Sequence, residues 1–101
     1  MSRARTIAMS QSRRDTAEPA VIAMFKALGC SVEKLDNPTD LLIGFKGRSE
    51  LVEVKTGTTG YGKRLNDKQE AFAASWRGSP VHVVRTPEDA KDLVEMWRGD
   101  R

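Results

Sequence analysis

The stretch PTDLLIGFKGRSELVEVKTG, Pro38 to Gly57, decides how this chain is read. Leu41 to Phe45 and Leu51 to Lys55 are apolar-rich runs on either side of Lys46-Gly47-Arg48, the pattern of two antiparallel strands joined by a tight turn. Three charges interrupt that pattern: Asp40 at one end, Glu53 and Lys55 at the other. Charges among Leu, Ile, Phe and Val are costly unless they are paired, exposed or used to hold a metal. Strand alternation puts Glu53 and Lys55 on one face. A turn centred on Lys46-Gly47 sets Asp40 opposite Glu53, whereas one centred on Gly47-Arg48 sets it opposite Lys55. Both registers gather the three residues on one face; an uncompensated three-residue loop would separate them.

Two carboxylates at cross-strand distance repel unless positive charge lies between them. Lys55 supplies part of that charge. A divalent cation supplies more, and hard oxygen donors suit Mg²⁺ or Mn²⁺. Such a site can polarise a phosphate or lower the pKa of a bound water, with the lysine positioning or deprotonating that water. Residue types and spacing therefore fit metal-assisted phosphodiester hydrolysis. The purely structural alternative is an exposed ion-pair cluster on an edge strand.

Working outward, Asp15 or Thr16 is placed to cap a helix with Pro19 in its first turn. Val21, Ile22, Phe25 and Leu28 recur at helical spacing and Gly29 supplies the stop. Ser31 to Leu35 reads as a short strand, and Asp36-Asn37-Pro38 as a turn. The Gly-rich run TGTTGYG, Thr56 to Gly62, reads as a loop. Asn66 or Asp67 then caps a helix through Trp76, with Ala71, Phe72, Ser75 and Trp76 inward. Val81 to Val84 is a strand, expected to join Leu51–Lys55 by a parallel crossover. Thr86-Pro87-Glu88 opens a last helix with Ala90, Leu93, Val94 and Trp97 on one face. The order α-β-β-β-α-β-α predicts an α/β domain, a central mixed β-sheet flanked by helices.

Composition bounds the rest. The chain has 101 residues, 39% hydrophobic and 31% charged, which fits one small globular domain. It has no apolar run long enough for a membrane span and no secretory signal pattern, so a cytoplasmic setting is expected. A single cysteine, Cys30, and a single histidine, His82, exclude an intrachain disulfide and a Cys/His zinc site. His82, between two valines, reads as a satisfied, partly buried histidine. The net charge of +3 is uneven, because Arg3, Arg5, Arg13 and Arg14 precede the first acid. Residues 1–14 form a basic arm, and 15–101 the domain. A second basic concentration, Lys46 to Lys68, includes Lys63, Arg64 and Lys68, which are placed for phosphate contact, as are Arg13 and Arg14. Tyr61 is placed either to stack on a base or to anchor its loop.

Pro38-x-Asp40, an apolar strand and Glu53-Val54-Lys55 together resemble the PD-(D/E)xK nuclease signature, with the proline displaced by one from its usual place. The downstream LNDKQEAFAASWRGSPVHVVRTPEDAKDL and the upstream RRDTAEPAVIAMFKALGCSV are similar to the small VRR-NUC type of phage and bacterial nucleases, over roughly residues 13–97. The resemblance implies a restriction-endonuclease-like core acting on DNA with Mg²⁺ or Mn²⁺ in a bacterial host cell. It implies Asp40, Glu53 and the Val54 backbone carbonyl as metal ligands, Lys55 as the catalytic lysine and Gln69 as a supporting catalytic residue. Glu18, with Asp15 next, is the candidate for a first-helix acid at the metal. It also implies a homodimer and a preference for branched DNA such as four-way (Holliday) junctions over duplex. The contrasting expectation is a DNA-binding or scaffolding module that keeps the fold without catalysis.

Overall fold

The computed structural model describes residues 16–55 and 65–99. In chain order they form α1 (Glu18–Ala27), β1 (Ser31–Lys34), β2 (Leu41–Phe45), β3 (Arg48–Val54), α2 (Asp67–Ser75), β4 (His82–Val84) and α3 (Pro87–Gly99). The expected order and the α/β class are met, with a four-stranded mixed sheet ordered β1-β2-β3-β4. The first two pairings are antiparallel and β3 pairs β4 in parallel, through a crossover containing α2.

Local chemistry explains most boundaries. Gly29, at φ +92°, closes α1: its N–H donates to Lys26 O and that of Cys30 to Phe25 O. This pair of bonds is a Schellman stop, and a side chain at that φ would be strained. The start of α1 differs from expectation, because Ala17 is the N-cap and makes no side-chain bond. Pro19 in the first turn, which presets a helical φ, takes over as the start signal. Asp15 lies outside the described residues. At α3, Thr86 Oγ1 accepts from Asp89 N–H at 3.1 Å, and Asp89 Oδ2 accepts from Thr86 N–H at 3.3 Å. Thr86 is thus the cap as expected, with Asp89 as its reciprocal partner and Glu88 an acid of the first turn.

The hairpin register is that of a turn on Lys46-Gly47, with Phe45 paired to Arg48 and Leu41 to Val52. Both turn residues have positive φ, 48° and 85°. That is the requirement of the type I′ turn, whose twist matches two antiparallel strands.

One face of the sheet carries the core. Leu41, Ile43, Phe45, Val52 and Val54 pack against Val21 and Phe25 of α1 and Ala90, Val94 and Trp97 of α3. Trp97 sits at the centre, its ring 6.3 Å from both Phe25 and Phe45. Burying each such side chain contributes roughly 1.5–3 kcal/mol. The same face holds Glu50, 2% exposed, between Arg48 (2.8 Å) and His82 (2.9 Å). His82 is thus partly buried and bonded, as its apolar neighbours suggested.

Among the described residues, the opposite face is met by α2, which buries none of its residues. The expected inward Trp76 is a correction. The helix stops at Ser75, Trp76 turns extended (ψ 127°), and its side chain is 45% exposed. Among the described residues, no helix is long and apolar enough to cross a membrane.

Candidate functional site

The regular ladder ends at Leu41 and Val52, and the next rung is built from side chains. Asp40 Oδ2 accepts the Val54 N–H at 2.8 Å, while Glu53 Oε1 accepts the Asp40 N–H at 3.2 Å. Each carboxylate thus satisfies a backbone donor near the other, which fixes both side chains where the strands part. Lys55 Nζ lies 3.5 Å from Glu53 Oε2. Asp40, Glu53 and Lys55 meet as the strand pattern required. Asp40 directly precedes β2, and Glu53 and Lys55 stand at the end of β3; both are interior strands, not an edge as the purely structural alternative supposed.

Gln69 completes the group from above. Asn66 caps α2 by accepting the Gln69 N–H at 2.9 Å, and Gln69 Oε1 accepts the Asn66 N–H at 3.0 Å, a reciprocal capping box. With its oxygen so engaged, the Gln69 amide turns its nitrogen to Glu53 Oε2, at 2.6 Å. A cavity of ≈ 300 Å³ opens here, lined by Asp36, Pro38, Asp40, Glu53, Lys68 and Gln69 among others. A larger cleft of ≈ 790 Å³ lies at the hairpin tip beside Trp97. Its acid, Glu50, is tied to Arg48 and His82. Size alone does not choose the site.

Glu53 is only 4% exposed. Burial first, then the negative charge of Asp40, push its carboxyl up to about 7. Lys55 and the Gln69 hydrogen bond oppose that rise, and the hydrogen bond with Asp40 adds to it. Excess negative charge held by hard oxygen donors is the arrangement that a divalent cation relieves, so the donor set fits Mg²⁺ or Mn²⁺.

The remaining expected residues divide. Val54 is the last residue of β3, its N–H bound to Asp40. Lys68 is exposed at the mouth of the cavity. Glu18 is buried in the first turn of α1. No group of three or more His, Cys, Asp or Glu side chains placed to hold a metal occurs among the described residues, so Glu18 does not join Asp40 and Glu53 in such a group. Arg13, Arg14, Asp15, Tyr61, Lys63 and Arg64 lie outside the described residues. The cluster of buried Glu50 with the partly buried Arg48 and His82 was not anticipated. Its only sequence signal was an acid at even spacing from Val52 and Val54, which places it on the core face.

No protein-family model, curated protein or solved structure matches the chain.

Proposed function

We propose that the chain is a small metal-dependent endodeoxyribonuclease of the PD-(D/E)xK class, with a restriction-endonuclease-like core, acting as a homodimer on branched or duplex DNA. The observation that carries this reading is the paired carboxylates of Asp40 and Glu53 on neighbouring strands, with Lys55 3.5 Å from Glu53 and Gln69 bound to it. Asp40, Glu53 and the Val54 carbonyl would hold Mg²⁺ or Mn²⁺. When bound, such an ion lowers the pKa of water and polarises a phosphate. Lys55 stands where an ammonium can orient the attacking water or neutralise the phosphate. Gln69 keeps the Glu53 carboxylate aimed, and Lys68 at the mouth draws the DNA backbone toward the acids.

The test is cleavage of a labelled four-way junction beside a matched linear duplex, with Mg²⁺, Mn²⁺ or EDTA, by the wild type and Glu53→Ala. Metal-dependent cutting that the variant loses is the expected result. Cutting of both substrates removes the preference for junctions and keeps the nuclease. Undiminished cutting by Glu53→Ala removes the assignment of the site.

A second reading, a non-catalytic DNA-binding module, is favoured by one feature: no third acid joins Asp40 and Glu53 in a metal-holding group among the described residues. It expects DNA binding that weakens with salt, persists in EDTA and is accompanied by no cleavage.

A further inference from the structure

The acid pair does not stand alone on its face of the sheet. The next rung along the same face is Leu42 paired with Leu51, and the one after it Gly44 paired with Ser49. Above these rungs α2 carries Gln69 and Phe72 on one side, and Trp76 follows directly after its last turn. Phe72 and Trp76 stack at 5.2 Å, with 27° between their planes. Between this aromatic wall and the leucine floor lies a groove of ≈ 380 Å³, with Ser49 and Ser79 at its rim. Pro38 and Phe72 line both this groove and the acid cavity, so the two are continuous. Trp76 is exposed yet held: a Cβ on Gly78 would come within 2.7 Å of its indole nitrogen, so the ring rests on glycine backbone.

We infer that this groove receives an unstacked nucleobase of the substrate strand, next to the phosphate at Asp40 and Glu53. The inference rests on the nuclease reading and adds the state of the substrate to it. An aromatic wall, an apolar floor and hydroxyls at the edge suit the flat face and polar rim of a base, and such stacking tolerates any sequence. Lys55 and Lys68 flank the acid end, where the backbone would lie. A base laid on the Phe72–Trp76 wall turns its face to those rings, and so has left its neighbour in the strand on that side. Single-stranded, mispaired or junction-proximal nucleotides do this at least cost. A second copy of the chain fits the groove less well, since a stable interface takes about 20–30 residues a side.

Two tryptophans make this measurable, because Trp97 is 2% exposed and Trp76 45%. The full chain is titrated in EDTA and in Ca²⁺ with a short oligothymidine, with an abasic oligomer of equal length and with a blunt duplex, following indole emission. The oligothymidine is expected to quench and shift the emission, and the abasic oligomer and duplex to leave it unchanged. Trp76→Ala should weaken oligothymidine binding about tenfold or more while leaving abasic binding alone. Gly78→Ala, which displaces the ring without removing it, should give part of that loss. Equal binding of base-bearing and abasic strands overturns the inference. So does sedimentation showing a dimer that Trp76→Ala dissociates without any base-dependent quenching, which would assign the groove to a second copy. Cleavage in Mg²⁺ is scored separately: cutting without quenching removes the base groove alone, and base-dependent quenching without cutting removes the nuclease alone.

Discussion

The side-chain amide of Gln69 is held at both ends: its oxygen accepts the Asn66 N–H at 3.0 Å and its nitrogen donates to Glu53 at 2.6 Å. One residue therefore starts a helix and aims a carboxylate. Gln69→Leu should cost about 1 kcal/mol of stability through the lost half of the capping box. It should also push the Glu53 carboxyl further above about 7, since the Gln69 bond lowers it. Gln69→Glu keeps the capping function but sets a second acid against Glu53, so it should recover the stability and not the activity. Urea titration and cleavage rates of the two variants separate these effects. Equal activity in both would detach Gln69 from the site.

Stability should depend on pH through Glu53. An ordinary glutamate titrates near 4.5, whereas Glu53 in the folded chain titrates near about 7. Between those values the native state holds the proton that the unfolded state has lost. Metal-free stability should therefore fall as pH rises through this window and level off above it, with a total of about 3 kcal/mol as an upper bound. Denaturant midpoints across the window measure the slope. Glu53→Gln should flatten it, and an unchanged slope in that variant would assign it to other groups.

On the proposed reading, metal and proton compete for the same carboxylates. Mn²⁺ or Mg²⁺ at about 100 times Kd should stabilise the fold by about 2.7 kcal/mol, a shift of several degrees in Tm. The shift should be larger at about pH 8 than at about pH 6, because binding then displaces less bound proton. Asp40→Asn should cancel it. A melting curve indifferent to metal at both pH values would leave the acids as an ion-pair cluster.

On the other face, Glu50→Ala should be severe for the fold. It leaves Arg48 and His82 without the buried carboxylate that binds them at 2.8 and 2.9 Å. Losing these charge-assisted hydrogen bonds costs about 1.5–3 kcal/mol. Chemical denaturation reads this directly. Because Glu50 faces away from the acid pair, the folded fraction should keep whatever pH dependence the wild type shows in the proposed cleavage.

Much of this arrangement was legible in the strand pattern. The alternation through Leu41–Phe45 and Leu51–Lys55 put Asp40, Glu53 and Lys55 together, because one side of the sheet had to be apolar. The choice between two registers was not legible, since Gly47 serves either turn; it rests on Lys46 adopting φ 48°. Trp76 was misjudged for a related reason. Helical spacing continues to it, but the chain leaves the helix there and lays the indole on Gly78. Arg48, two residues away on the same strand, was in reach of Glu50 from the alternation alone, whereas His82 comes close only through the parallel pairing of Val52 with His82.

The two-residue turn has a wider consequence. Strand β3 is a two-sided ruler whose odd marks carry the acid and lysine and whose even marks carry the valines, and Lys46-Gly47 sets its zero. One residue inserted between them would shift every mark by one, turning Glu53 and Lys55 toward the apolar core and Val54 toward the acid cavity. The pH-linked stability of Glu53 and the proposed hydrolysis would be lost together, although no residue of the site had been changed.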